Sequence, residues 1–459
     1  MRCCASSLHT APRQVFNSTN AVEGDHGAAV TYTQHIASAA ACQQLAARTN
    51  ATVFTWHDPT CGRYANVCAT RFDGVWDPQP QAGHTAGYLG AEPPPGPTPV
   101  PQPACSLNGV PVGGGTACRC DPGWGGAACE ALRLLPAPAA ATVFVPTATP
   151  AWSTWGATVL QVDGAWHMWQ TEIANNCSLH AYGTASQIVH RTSTGGPLGP
   201  WVRRGVALAA FAHNPQAVQL PSGHIALFHI GAAFAEADCV LNCTVGASPR
   251  PSHCPTPSHG SSVAVAATPE GPWTRYPYAV SAEDTNPAPV VAPDGSLAVA
   301  VRRSRGGTQT WYLASRVEGP YRAVSRPVVG TASGNTGTFE EDPYVWVNAR
   351  GEWHMLTHRE LPGGSSDPNA PMCGGGHLFS PDGVSWWEGA PVYNCSVRRA
   401  MPSAGGGGSN GSTAALLTAR QRPTLLQAGA GGQYLFNGAA GPGGTQWTHS
   451  YTMVQELQG

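Results

Sequence analysis

The sequence predicts a mainly β protein whose C-terminal part is a five-bladed β-propeller, and three observations predict it. The 459 residues include 55 glycines and 42 prolines, while charged residues make up only 11%; ordinary domains carry about 25%. Such a chain is cut into short elements by turns. Five stretches then align on a turn glycine: WGATVLQVDGAWHMWQTE (155–172), NPQAVQLPSGHIALFHIG (214–231), NPAPVVAPDGSLAVAVRR (286–303), DPYVWVNARGEWHMLTHR (342–359) and RPTLLQAGAGGQYLFNGA (422–439). Finally, Pro215, Pro287 and Pro343 stand eight residues before Gly223, Gly295 and Gly351, Pro423 stands nine before Gly432, and Gly156 takes the proline's place in the first unit.

Each unit reads as strand, tight turn, strand, because apolar and β-branched residues alternate around a glycine turn. A third strand follows in VHRTSTGGPLGPW (189–201), VAATPEGPW (265–273), LASRVEGPY (313–321) and LFSPDGVSWW (378–387), and a fourth would complete a blade. The period suits propeller blades with loop insertions. The two-residue alternation excludes a helical solenoid, and a jelly roll would not account for five matching hairpins. The run at 403–415 reads as a flexible insertion between the last two blades.

Ahead of the repeat, AEPPPGPTPVPQP (91–103) is a stiff spacer. Before it, residues 25–90 form a small α+β module with a short helix ending near Arg48. There Cys61 and Cys68, with six residues between them, suit a hairpin disulfide, while the pairing of Cys3, Cys4 and Cys42 stays open. This stretch, through Cys42, FTWHDPTC and RFDGVWDP…GHTAGY, resembles PAN/apple domains, which bind proteins or carbohydrates. After the spacer, CSLNGVPVGGGTACRCDPGWGGAACE (105–130) has the C-x-C-x8-C tail of an EGF-like domain, with Gly-Trp-Gly-Gly before its last cysteine. The resemblance implies the pairs Cys105–Cys118 and Cys120–Cys129, staples that so small a module needs. The domains expected are therefore 25–90, a linker 91–104, 105–130, and a propeller over 135–457.

The 15 cysteines and six Asn-x-Ser/Thr sequons point to an oxidising compartment and a secreted or cell-surface glycoprotein. The first twenty residues show no apolar signal-peptide core, so the true start is expected upstream. Cys373 and Cys395 flank a third strand and should pair; Cys177, Cys239, Cys243 and Cys254 fit two disulfides better than zinc. A net charge of −2 makes no electrostatic case for nucleic acid, and no run of about 18 apolar residues offers a membrane span.

The five-hairpin pattern, with its NP/DP…G…GPW repeat, resembles the propeller of glycoside hydrolase family 43 and its relatives. The resemblance implies a funnel where the first strands of the blades begin. It also implies three carboxylates there, on the first, second and third blades. Those positions fall here on Thr154 or Trp155, on His213 or Asn214, and on Asp284 or Thr285, so only Asp284 retains an acid. Acids reappear at Glu340, Glu341 and Asp342. The candidate catalytic set is therefore Asp284, Glu341 and Asp342, since glycoside hydrolysis needs two carboxyls across the sugar and two close ones raise one pKa. Candidate ligand-binding residues are Trp155, His213, Asn214, Asn286, Arg302, His358 and Arg422, with Trp152 and Trp155 breaking the repeat as stacking candidates and His377 read as core. Three readings of the acids compete: hydrolysis, sugar binding without turnover, and structural pairing of Asp342 with Arg420 or Arg422. The expected partner is carbohydrate, with a matrix or cell-surface protein engaged by the front modules. No cofactor is required and no metal ligands are assigned; calcium is the ion for which the channel of such a propeller has room.

Overall fold

A computed structural model describes residues 15–21, 30–33, 37–48, 53–57, 68–71, 78–88, 102–137, 142–143, 153–243, 253–303, 309–326, 328–331, 339–360, 373–400, 412–428, 432–441 and 450–459. The chain divides into two compact units, Met1–Val100 and Pro101–Gly459. In the first, five strands lie in the order Val15–Ala21, Pro78–Tyr88, Val53–His57, Cys68–Arg71, Val30–Thr33, and the sheet therefore starts before residue 25. Its helix, Ala39–Arg48, is held to that sheet by a disulfide between Cys42 and Cys68, Cα to Cα 5.4 Å. This corrects the expected Cys61–Cys68 hairpin bond. Both Cys42 and Cys68 are fully buried, so the helix and the strand meet through them; Cys61 lies outside the described residues.

The second unit is a propeller. Its first four blades are antiparallel sheets that begin at Thr154–Val162, His213–Gln219, Thr285–Val291 and Phe339–Val347. The fifth begins at Ala419–Gln427 and is completed by Thr142–Val143, which pairs with the last strand, Ser450–Glu456. The ring thus closes by pairing an early strand with the end of the chain. Blade 4 carries a fifth strand, Val328–Thr331, parallel to Trp386–Glu388. Ser412–Leu416, which overlaps the end of the run expected to be a flexible insertion, pairs with Ser396–Ala400.

Why blades stack radially follows from the alternation. The second strand of blade 2 is apolar on both faces: Ile225 and Leu227 pack with Trp169 and Ile188 of blade 1, while Ala226 and Phe228 pack with Leu297, Val299 and Val301 of blade 3. In blade 3 the intervening residues Ala298 and Ala300 face Val345, Met355 and Trp386 of blade 4. A strand apolar on two sides must be covered on two sides, so the core is a set of inter-blade layers. Blades 5 and 1 share another, built on Phe436, Met453, Val159 and Met168. The boundary of blades 4 and 5 differs: Leu356, Leu425 and Leu435 are joined there by Trp124 and Leu132.

Trp124 belongs to the small module over 105–130 and Leu132 follows it directly; two short hairpins, the second closed by Ala131–Leu132, carry the bonds Cys105–Cys118 and Cys120–Cys129. It sits at the end of the hairpins opposite their first residues. There Arg350, in the blade 4 turn, pairs with Asp121 at 2.7 Å and donates to the Leu107 carbonyl at 2.6 Å. Further bonds join Cys177 to Cys243, Cys239 to Cys254 and Cys373 to Cys395. Among the described residues, no helix is long and apolar enough to cross a membrane.

Candidate functional site

Every first strand breaks its register just after it starts: between Trp155 and Ala157, His213 and Gln216, Thr285 and Ala288, Glu341 and Tyr344, and Gln421 and Thr424. Each break is a β-bulge, which re-aims side chains at the rim of a sheet. In blades 2 to 5 the residue before the proline is left-handed: Asn214 (φ 52°), Asn286 (φ 55°), Asp342 (φ 53°) and Arg422 (φ 52°). Asn and Asp tolerate this region, whereas a long side chain there is strained. The Asn/Asp-Pro signature thus marks three of the five bulges, with Arg422-Pro423 and Trp155-Gly156 at the other two, and all five bring residues distant in sequence together. Asn214 Nδ2 donates to Asn286 Oδ1 at 3.3 Å, and Gln216 Nε2 donates to the Pro343 carbonyl at 2.7 Å.

Arg422 is accommodated because blade 1 has Gly156 at its bulge. A Cβ on Gly156 would overlap Arg422 Cγ. The arginine lies over that glycine, donates to the Asn214 carbonyl at 2.7 Å, and meets Asp342 Oδ1 at 3.4 Å. Both charges are buried, Arg422 1% exposed and Asp342 3%.

The three acids of FEEDP point three ways, each toward an arginine. Glu340 turns into its own blade, accepting from Thr357 and pairing with Arg359 at 2.6 Å; burial raises its pKa against the pull of that arginine. Glu341 faces the funnel, paired with Arg302 of blade 3 at 3.1 Å and 3.9 Å from His358 Nδ1. The latter distance is too long for a hydrogen bond. Burial opposes the Glu341 charge, but His358 and Arg302 outweigh it and hold the carboxyl below its usual range. Asp342 is pushed the other way, by burial and then by the adjacent Glu341, against the pull of Arg422.

These residues open into a cavity of about 570 Å³. Blades 3 to 5 and the residues leading into them contribute Glu283, Thr285, Asn286, Arg302, Glu341, Asp342 and Gln421, and blades 1 and 2 with their connections contribute Trp155, Leu179, Tyr182, His213, Asn214, Ile230, Ser258 and His259. In the blade 1 and 2 group, Leu179 and Tyr182 come from residues 174–185 and Ser258 and His259 from residues 253–260; the Cys177–Cys243 bond ties the first segment to the chain just beyond the second strand of blade 2. That bond closes a 66-residue separation, worth about 4 kcal/mol in the chain-entropy picture. His213 shares a hydrogen bond with Ser186 Oγ at 2.8 Å, and burial, Arg422 and His259 lower its pKa to about 3, so it is neutral. Tyr182 packs against His213 and His259, with ring centroids 5.1 and 5.5 Å apart.

Of the expected site residues, Trp155, His213, Asn214, Asn286, Arg302, Glu341 and Asp342 line this cavity. Asp284 does not. The turn before it is pinned by Ser281 and Ser261 hydroxyls, and its carboxylate accepts from Tyr312 Oη at 3.0 Å, away from the funnel. The expected pairing of Asp284 with Glu341 across the cavity is therefore corrected, and Glu283 is the blade 3 acid that lines it. Trp155 is 4% exposed, wedged against Gly438 and the core under the blade 1 loop, so it offers an edge rather than a stacking face. Trp152 lies outside the described residues. Arg422 and His358 lie behind the wall, and His377 is core, packed on Trp124 at 4.9 Å.

His358 is fully buried, and neither ring nitrogen has a hydrogen-bond partner among the described residues; Asn214 Oδ1 is likewise unpartnered. Sequence reasoning missed Tyr182, His259 and Glu283. The first two stand on cysteine-rich loops outside the repeat, where the cysteines were the only signal.

No protein-family profile matches this chain, and no curated protein does. Solved structures similar to it include a thermostable family-43 glycoside hydrolase (10% identity, 69% of this chain and 92% of that one, TM-score 0.42). Another is CoXyl43, a GH43 β-xylosidase/α-arabinofuranosidase from a compost microbial metagenome in complex with xylotriose (12%, 71% and 94%, 0.43). A third is Zg3597, a family 117 glycoside hydrolase from Zobellia galactanivorans (12%, 69% and 87%, 0.41). At these scores the propeller assignment rests on the strand order and register described above.

Proposed function

We propose that the funnel binds a carbohydrate without hydrolysing it. One observation carries this reading: among the described residues, the carboxylates lining the cavity all come from blades 3 and 4, and blades 1 and 2 contribute none. Hydrolysis needs two carboxyls on opposite sides of a glycosidic bond. Here Glu341 and Asp342 are chain neighbours, each held by an arginine, and blades 1 and 2 answer them with Trp155, Tyr182, neutral His213 and His259. A sugar offers hydroxyls to amide, guanidinium and carboxylate groups and a C–H face to an aromatic ring; Asn286, Arg302, Glu341 and Tyr182 supply these.

A second reading, hydrolysis, is favoured by the opposite pKa displacements of Glu341 and Asp342, the pattern of an acid and base pair. The buried Arg422 partner counts against it, since a general acid must be free to lose and regain its proton.

In this reading the protein is secreted or displayed at the cell surface, where its disulfides persist. The 25–90 region acts as a PAN-like module that docks it to a matrix or surface protein, and the 105–130 module, EGF-like in its cysteines, is a structural part of the propeller.

A glycan array probed with the full chain, followed by calorimetry on the best ligand, tests this. Arg302→Ala and Glu341→Gln should each weaken binding by about tenfold or more, the cost of a charged hydrogen bond, with no turnover of aryl glycosides by the wild type. Turnover that falls in Glu341→Gln would establish the hydrolase instead. Unchanged binding in both variants would move the sugar elsewhere.

A further inference from the structure

We propose that Asn242 and Asn394 carry N-linked glycans, and that Asn176 is an acceptor which closure of a disulfide shuts out. Three of the chain's six sequons, Asn176-Cys177-Ser178, Asn242-Cys243-Thr244 and Asn394-Cys395-Ser396, place a cysteine between the acceptor and the hydroxyl residue. All three cysteines are in disulfides, and Cys177 and Cys243 are bonded to each other with their Cα atoms 5.0 Å apart. Two acceptors therefore flank one bond.

The three differ in access. Asn242 and Asn394 are exposed. Asn394 uses its carboxamide oxygen to accept from the Ser396 N–H at 2.9 Å, so this bond does not occupy its nitrogen. Asn176 is partly covered, left-handed at φ 57°, and followed by Cys177, which is fully buried beneath the cavity wall.

In glycan transfer the asparagine Nδ2 attacks the anomeric carbon of a polyprenyl-pyrophosphate-linked oligosaccharide. The N–C bond forms, the anomeric C–O bond breaks, the lipid pyrophosphate leaves with the electron pair, and the amide gives up one proton. In closure, two thiols pass two protons and two electrons to a disulfide oxidant of the same compartment. The transferase needs a sequon that can be drawn out of the surface; all three middle cysteines are bonded, but of the three only Cys177 is fully buried, so its bond holds the Asn176 sequon in place, whereas Cys243 and Cys395 are half-buried. Once Cys177 and Cys243 are joined, the Asn176 peptide is pinned against the core, while Asn242 still stands on the solvent side. The reading is independent of what the funnel binds.

The test is to send the full chain through a eukaryotic secretory pathway, release N-glycans enzymatically in heavy-oxygen water, and map the asparagines converted to labelled aspartate. Asn242 and Asn394 should be labelled and Asn176 not, and Asn242→Gln and Asn394→Gln should each remove one glycan from the intact mass. In Cys243→Ser, Asn176 labelling should rise several-fold. Should that variant fail to leave the cell, mild reductant during synthesis of the wild type delays the same bond and should raise Asn176 labelling likewise. Secreted protein unlabelled at Asn242 and Asn394, or Asn176 labelled as fully as Asn242 in the oxidised wild type, would overturn the proposal.

Discussion

Blades 1 and 4 share Trp-His-Met on their second strands and a histidine at the same place on their third, yet they fill the space above that histidine differently. In blade 1, His167 Nδ1 and His190 Nε2 lie 2.9 Å apart, and Trp169, the residue after the motif, stacks on His190 at 5.6 Å. In blade 4, His354 and His377 lie 3.2 Å apart, but the residue after the motif is Leu356. Two indoles meet His377 there: Trp346 of blade 4, stacked at 6.3 Å, and Trp124, tilted at 4.9 Å and supplied by the disulfide-stapled module. Among the described residues, the layer between blades 4 and 5 takes in Cys105, Trp124, Cys129 and Leu132 from the segment ahead of the propeller. The small module therefore acts as a missing piece of core rather than an appendage.

The strongest way to break this comparison is Trp124→Ala. It should destabilise the propeller by about 3–5 kcal/mol, as for any fully buried tryptophan, read as a lower urea midpoint. Adding Leu356→Trp, which makes blade 4 resemble blade 1, should recover part of the loss. A drop below about 1 kcal/mol in the single variant would mean that the module merely rests on the surface.

Acid should sharpen the comparison next. Burial lowers His354 to about 3 and His190 to about 4, and His377 lies well below its ordinary value. A histidine depressed in the fold contributes stability above its unfolded pKa of about 6.5, and that contribution is lost as pH falls toward the folded value. Each such histidine should cost about 1.4 kcal/mol per pH unit below 6.5. Burial also lowers His167, but the charges of Glu270 and Asp163 oppose it. Thermal midpoints between pH 7 and 5 should therefore flatten more in His354→Gln than in His167→Gln; equal slopes would contradict the burial difference.

The smallest effect belongs to the Arg350–Asp121 pair at the module's edge, where both side chains are about a third exposed. Arg350→Ala should cost about 0.5–1 kcal/mol, and the ionic part of that should vanish in about 1 M salt.

The repeat was legible because alternation and turn glycines are local signals, and so were the ends of the first strands, where Asn-Pro and Asp-Pro mark the bulges. The directions of FEEDP were not. Consecutive strand residues face opposite sides, but a bulge inserts one extra residue, and whether Glu341 or Asp342 reaches the axis depends on partners on blades 3 and 5. Asp284 was misplaced for a related reason: its backbone is held by the hydroxyls of Ser281 and Ser261, at the ends of two neighbouring strands, and its carboxylate is taken by Tyr312, which no local pattern links to it. Cys42 and Cys68 likewise became partners only when the helix packed on the sheet.

By itself the sequence determined that hairpins form, how many there are, and that they must stack, since their middle strands are apolar on both faces. Only the tertiary structure decided which arginine neutralises which acid, that Gly156 leaves room for Arg422, and that an indole from residues 105–130 completes the ring. Those outcomes depend on distances between side chains far apart in the chain, set by closing the circle between Thr142–Val143 and Ser450–Glu456.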